Sequence, residues 1–267
     1  MKFMNLSKVK MVVSDMDGTL LNSKHEVSDR FFELFQQLKT QDIQFIAASG
    51  RQYNSIIEKL HPIKDDIIVI AENGGFAMNK GKEILSTPLP QKNIVEILDT
   101  LANVPNIYPI LCGKHNAYVS RTSEVFINKL KEYYTEFSLV DDFYHFEEQI
   151  IKIAIYHFES SERYIYPFVS HLEDTLQVKI SGENWVDISS PNANKGYALD
   201  KVMSLYNIKP DELMVFGDYN NDLEMLALAD FSFAMENAHP NVKKAASYST
   251  SSNDNYGVEK ILEKLIF

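Results

Sequence analysis

Val12-Val13-Ser14-Asp15-Met16-Asp17-Gly18-Thr19-Leu20 places two carboxylates two residues apart, directly behind an apolar run. A buried strand that ends in such a pair supplies one nucleophile and one acid/base. It also offers the oxygen ligands that a hard divalent cation prefers. Chemistry of this kind suits phosphoryl transfer through an aspartyl-phosphate, so the rest of the chain can be searched for the groups still missing.

The surrounding pattern alternates strand and helix. Val9 to Ser14 reads as a buried strand. Ser28 is an N-cap signal for a helix whose apolar face carries Phe31, Leu34, Phe35 and Leu38. Ile43 to Ala48 and Ile67 to Ala71 read as further strands with a helix between them. Continuous apolar strands joined through helices imply a parallel sheet covered on both faces. Near Asn79-Lys80-Gly81-Lys82 a turn signal lies between short β-like runs, and the texture changes. Helices are expected at Ile94 to Leu101 and Val125 to Tyr134. Strands are expected around Ile107 to Leu111, Ala117 to Ser120, Ile150 to Phe158 and Leu176 to Ile180, with one helix between the last two. This Tyr- and Phe-rich middle third reads as an α+β domain inserted into the first. After Asp187-Ile188-Ser189 the α/β rhythm resumes: a helix from Lys195, a strand at Leu213 to Phe216, and a helix over Asn221 to Ala227. A short strand at Phe231 to Ala234 and a last helix near Val258 to Leu265 follow. The reading is an α/β core of residues 1–82 and 189–267 with an inserted domain of residues 83–188.

Composition narrows the function. The 267 residues are 45% hydrophobic and 24% charged, the balance of a globular protein large enough for a core and a second domain. A net charge of −11 argues against a broad nucleic-acid footprint. An anionic substrate must then be met by local positive charge or by a metal. Cys112 is the sole cysteine, which excludes an intramolecular disulfide and a cysteine zinc site. The stretch Met1 to Asn5 lacks a signal-peptide apolar core and no run reaches membrane-spanning length, so a cytoplasmic protein without membrane partners is expected.

Four segments place polar groups at a strand's carboxyl end or a helix start, the edge where open α/β sheets bind ligands. They are Asp15/Asp17, Ser49-Gly50-Arg51, Asn194-Lys195-Gly196 and Gly217-Asp218-Tyr219-Asn220-Asn221-Asp222. Phosphoryl transfer is mostly positioning and charge neutralisation, so each has a task. Asp15 attacks phosphorus; Asp17 protonates the leaving oxygen and then deprotonates water. Ser49 and the Gly50 amide hold the transferring oxygens, and Lys195 offsets charge on nucleophile and phosphoryl group. Asp218 completes a Mg²⁺ site with Asp15 and the carbonyl of Asp17, while Asn221 and Asp222 orient these ligands or a metal-bound water. Arg51 either contacts substrate or pairs with a carboxylate, and Asn73 either lines the pocket or occupies a turn with its glycines. The seven histidines show no ligand spacing. Tyr164, Tyr166 and Phe168 read as core, and Asp141-Asp142 and Glu147-Glu148 as solvated turns.

In this order the four segments resemble the haloacid dehalogenase superfamily, and within it the Cof-type phosphatases. Glu72-Asn73-Gly74-Gly75, Asn237 to Lys243 and Ser252 to Val258 carry the same resemblance. The middle third matches only in position and length, which suit the family's larger (C2-type) cap domain. Glu236 departs from the family, whose members often have glycine there. The resemblance implies a Rossmann-like core and a Mg²⁺-dependent phosphatase acting on small phosphorylated metabolites, often sugar phosphates. A phosphomutase on the same scaffold is the nearest alternative. It is disfavoured because the middle third holds only Arg121 and Arg163 for a second phosphate. A non-catalytic sensor of phosphorylated metabolites would lack one of the catalytic groups, and none is missing. Lys152, Arg121 and the tyrosines of the middle third are the candidates for choosing a substrate.

Overall fold

A computed structural model describes residues 5–134, 136–145 and 148–267. The chain opens with β1 (Met11–Asp15), α1 (Asp29–Thr40), β2 (Gln44–Ala48), α2 (Tyr53–Lys59), β3 (Ile68–Ala71), β4 (Phe76–Asn79) and β5 (Lys82–Ser86). There follow α3 (Gln91–Leu101), β6 (Tyr108–Gly113), β7 (Ala117–Ser120), α4 (Glu124–Leu130), β8 (Phe137–Val140) and β9 (Ile150–Tyr156). Next come α5 (Ser161–Tyr164), α6 (Tyr166–Val169), β10 (Gln177–Gly182) and β11 (Trp185–Ser189). The chain closes with α7 (Lys195–Tyr206), β12 (Leu213–Gly217), α8 (Leu223–Leu226), β13 (Phe231–Ala234), α9 (Pro240–Ala245), β14 (Tyr248–Ser249) and α10 (Gly257–Ile266).

These elements form two units. The first comprises Met1–Gly50, Ile56–Leu85 and Asn194–Phe267. Its sheet runs β14-β13-β12-β1-β2-β3-β4-β5. The chain leaves β1 toward β2 on one side and returns to β12 on the other, so β1 stands at the point where strand order reverses. In α/β sheets that is where a ligand crevice opens. β1, β3 and β12 are buried at every position, as strands covered on both faces must be. The Ser28 hydroxyl accepts the Phe31 amide at 3.0 Å and caps α1, whose Phe31 and Phe35 rings pack on Phe45 of β2. The strands from β14 to β3 pair in parallel, as expected. β4 runs antiparallel to β3, because the turn at Glu72–Gly74 reverses the chain.

The second unit comprises Arg51–Ser55 and Ser86–Ala193. The expected divisions at 82/83 and 188/189 therefore fall a few residues from those of the structure. Its sheet runs β10-β11-β9-β6-β7-β8, antiparallel except between β7 and β8. One face packs Ile153, Ile155 and Ile188 against Ile94, Ile97 and Leu98 of α3. Ala154 and Tyr156 pack with Phe126 and Leu130 of α4 in a second cluster.

Several local expectations need correction. The helix expected to reach Tyr134 ends at Leu130, where i→i+3 bonds from Glu132 and Tyr133 tighten the last turn. The single helix expected before β10 is the two short segments α5 and α6. Pro167, which has no amide to donate, sits in the first turn of α6 and breaks continuity at Ile165. Phe168 is exposed, not core. Glu148 is no solvated turn residue: it accepts from the Tyr118 hydroxyl at 2.6 Å and the His115 amide at 2.7 Å. Glu147 lies outside the described residues. Among the described residues, no helix is long and apolar enough to cross a membrane.

Phe45 is 1% exposed beneath two α1 rings. Phe45→Ala should cost about 3–5 kcal/mol of stability, read as a lowered urea midpoint.

Candidate active site

Register brings the first groups together. Ser14 of β1 pairs with Phe216 of β12, and Asp15 with Ala48 of β2. Asp15, Ser49 and Asp218 therefore all leave the sheet at its carboxyl edge, beside β1. Lys195 arrives from α7, whose start is fixed when the Asn194 side-chain oxygen accepts the Tyr197 amide at 2.7 Å. Asn194 thus serves the site by capping α7.

The centre is a buried ion network. Lys195 Nζ donates to Asp15 Oδ1 at 2.5 Å and to Asp222 Oδ1 at 2.7 Å. Neither the Lys195 nor the Asp222 side chain is exposed. Asp222 Oδ2 accepts the Asp218 amide at 2.9 Å and the Tyr219 amide at 3.1 Å. Both Asp222 oxygens are thus engaged by protein donors, which suits it to orienting Lys195 and the Asp218 turn. The same bonds explain why the helix expected from Asn221 begins as a 3₁₀ turn over Asn220–Asp222.

Asp218 Oδ1 accepts from Thr19 Oγ1 at 3.1 Å. Gly18 is required beside it: φ is +79°, and a side-chain carbon there would lie 2.3 Å from Asp218 Oδ2. Carboxylate oxygens of Asp15, Asp218 and Asp222 lie within 4.8 Å of one another.

Electrostatics follow from the burial. Burial works against the Lys195 ammonium, but Asp15 and Asp222 outweigh it and hold the proton more firmly than usual. Burial raises the Asp15 carboxyl well above the ordinary range; Lys195 pulls it down, and Asp222 and Asp218 add to the rise. Burial, aided by the charge of Asp222, pushes Asp218 up to about 6. Three carboxyl groups thus face one ammonium. An all-oxygen donor set with surplus negative charge fits a hard divalent cation.

The second and third segments meet through a strained turn. Glu72, Asn73 and Gly74 all have positive φ, at 51°, 55° and 94°. The turn brings the Asn73 amide to Ser49 O at 3.0 Å, and Asn73 Oδ1 accepts from Asn221 Nδ2 at 3.0 Å. A side-chain carbon on Gly50 would come 3.0 Å from Asn73 Oδ1, and one on Gly74 would strike the Asn194 carbonyl. Asn73 is therefore more than a turn former: it ties Ser49-Gly50 to the fourth segment.

Asp17 is partly exposed, its Oδ1 3.1 Å from His25 Nδ1. Arg51 belongs to the second unit, where it donates to Ser55 Oγ at 3.3 Å. Lys152 is buried in that unit against Asp187 at 3.2 Å, and Arg121 pairs with Asp141 at the surface. Glu236 is exposed.

Several supports of the site stand outside the roles assigned from sequence. His239 donates its backbone amide to Asp218 O at 2.8 Å, and Asn241 Nδ2 donates to Asn220 Oδ1 at 3.2 Å. Thr19 was in plain view inside the opening motif. The His239 and Asn241 contacts span about twenty residues, and the stretch Asn237 to Lys243 gives no sign of which partners they meet.

The profile of the haloacid dehalogenase-like hydrolases matches residues 12–262. The Escherichia coli (strain K12) protein named 5-amino-6-(5-phospho-D-ribitylamino)uracil phosphatase YbjI is 33% identical, over 97% of this chain and 96% of its own. The phosphatase YwpJ of Bacillus subtilis (strain 168) is 26% identical over 97% of this chain and 100% of its own. The crystal structure of SMU.1108c from Streptococcus mutans UA159 superposes with a TM-score of 0.88 at 31% identity, covering 96% of this chain and 98% of that one. With the profile spanning nearly the whole sequence, the chain belongs to the haloacid dehalogenase-like hydrolases.

Proposed function

We propose that this haloacid dehalogenase-like phosphatase hydrolyses small phosphate monoesters through an aspartyl-phosphate on Asp15, with Mg²⁺ as its cation. The observation that carries the reading is the buried Asp15–Lys195–Asp222 network at the carboxyl edge of the sheet.

An Asp15 oxygen attacks phosphorus and the P–O bond to the leaving group breaks, while Asp17 gives that oxygen its proton. Ser49 and the Gly50 amide hold the phosphoryl oxygens, and Lys195 offsets their charge. In the second half Asp17 takes a proton from water, the water oxygen bonds to phosphorus, and Asp15 departs as carboxylate with release of inorganic phosphate. Asp15, Asp218 and the Asp17 carbonyl would hold Mg²⁺, with Asn221 and Asp222 orienting them. When bound, the cation supplies charge neutralisation and a template for the phosphoryl oxygens. Asn73 holds Ser49-Gly50 in place. Residues 83–188 are read as the cap that selects the substrate, with Arg51 as a candidate contact for the phosphate ester; Lys152, buried against Asp187, is withdrawn from that role. The relative named for 5-amino-6-(5-phospho-D-ribitylamino)uracil supports a phosphorylated sugar or sugar alcohol as substrate, its hydroxyl oxygen being the leaving group.

Asp15→Asn should lower turnover of p-nitrophenyl phosphate at least about 10³-fold, with no phosphate adduct on the Asp15 peptide in rapid-quench mass spectrometry. In a panel of phosphorylated metabolites, esters of sugars and sugar alcohols, including that ribitylaminouracil phosphate, should give the highest kcat/KM.

The cation should show a pH dependence of defined sign. Asp218 takes up its proton near 6 in the fold, against an ordinary value of 3.8. The metal-free fold therefore loses stability as pH rises between these values, and a cation requires the ionised form. Mg²⁺ binding followed by calorimetry on EDTA-treated protein should weaken about tenfold from neutral pH to one unit below the Asp218 midpoint.

A further inference from the structure

Asn237 to Lys243 and Ser252 to Val258 resemble the family, yet no group in them takes part in the chemistry above. The structure shows what they hold. Asn237 Nδ2 donates to Gly18 O at 2.8 Å, and Asn253 Nδ2 donates to Leu21 O at 2.9 Å. The Ser23 amide donates to Asp254 Oδ1 at 2.7 Å. Asn253 and Asn237 are themselves joined, amide to Oδ1, at 3.2 Å. The first three bonds grip the loop that runs on from Asp17, and the last ties two of the gripping residues together.

That loop ends in a tight turn built on Asn22. Its Oδ1 accepts the amides of Lys24 at 2.9 Å and Glu26 at 3.0 Å, while its carbonyl accepts the His25 amide at 2.9 Å. The turn forces His25 to a φ of 58°, a conformation that side-chain-bearing residues seldom take. The result is an imidazole whose Nδ1 sits 3.1 Å from Asp17 Oδ1.

We propose that His25 is a positioning residue for this reaction: presented by the Asn22 turn and braced from Asn237, Asn253 and Asp254, it fixes the Asp17 carboxyl in the orientation that proton transfer requires. The proposal rests on Asp17 being the acid/base. An exposed contact of this type adds little to stability, and here the side chains are 63% and 41% exposed. A strained backbone kept for so weak a bond points to geometry as its use. Proton transfer is sensitive to that geometry, since the acid must stay within hydrogen-bond reach of the departing oxygen.

The test uses kcat/KM, which reports the phosphoryl-transfer step, on two esters that differ in leaving group. Phenyl phosphate needs its oxygen protonated far more than p-nitrophenyl phosphate does. His25→Ala and His25→Gly should lower kcat/KM on phenyl phosphate about tenfold relative to p-nitrophenyl phosphate, a fraction of what a general acid supplies. The melting temperature should hold in His25→Gly. His25→Asn, which tolerates the left-handed φ and keeps a side chain able to hydrogen-bond a carboxyl as donor or acceptor, should restore the ratio to within about twofold of the parent. An unchanged ratio in the Ala and Gly variants, or an equal fall on both esters, overturns the proposal. Asp17→Asn separates the two readings. If it leaves the ratio intact, the acid/base assignment itself fails. If it collapses the ratio while the His25 series stays unchanged, that assignment stands and His25 alone is removed.

Discussion

The ammonium of Lys195 is the constraint on which the site depends. A fully buried cation is tolerable only when its charge is answered and its hydrogens are bonded, and Asp15 and Asp222 do both. Removing one partner from such a network leaves an uncompensated buried charge, at a typical cost of about 3–5 kcal/mol. The network also reaches further than the pair. Asp222 gathers the amides of Asp218 and Tyr219, so the residue that orients the lysine also sets the acidic turn after β12. Three elements remote in sequence, β1, α7 and β12, are thereby registered to one another at the point where strand order reverses.

Charge at this point explains how an acidic chain can handle an anion. The net charge of −11 offers no general attraction for a phosphate ester. Locally, one ammonium faces Asp15, Asp218 and Asp222, and burial first, then the neighbouring carboxylates, shift the Asp15 and Asp218 carboxyls upward. A divalent cation would relieve that imbalance, as the all-oxygen donor set allows. The surrounding backbone is shaped for close approach: three consecutive positive φ angles at Glu72, Asn73 and Gly74 pack against the start of α7, and Gly18 leaves room for Asp218. Strain concentrated beside the chemistry is characteristic of functional sites.

Much of the first unit could be read directly, because its signals are local. Phe31, Leu34, Phe35 and Leu38 recur at helical spacing behind a capping serine, and the α1 that results spans Asp29–Thr40. The apolar runs ending in Ala48 and Ala71 are buried strands for the same reason. Reading was poorer in the middle third. There Pro167 divides what looked like one helix, and β8 and β11 lack a run of apolar residues long enough to stand out. Phe168 shows the general difficulty: an aromatic residue looks like core in any sequence, and only its neighbours decide whether it is covered.

The sequence by itself determined which chemical groups are present and the order in which they occur, since Asp15-x-Asp17, Ser49, Lys195 and Asp218 each stand at the end of a locally recognisable strand or the start of a helix. It also determined the family, because those segments together are too specific to arise from turns alone. Tertiary structure decided which groups meet. That Asp222 serves Lys195 and two amides, that Asn73 bridges Ser49 to Asn221, and that Asn237, Asn253 and Asp254 hold the loop between Gly18 and Ser23 are facts of distance. The physical reason is range. Caps, apolar periodicity and turn chemistry act over a few residues and leave a pattern in them. A hydrogen bond between groups 148 or 231 positions apart leaves none until the fold has set both in place.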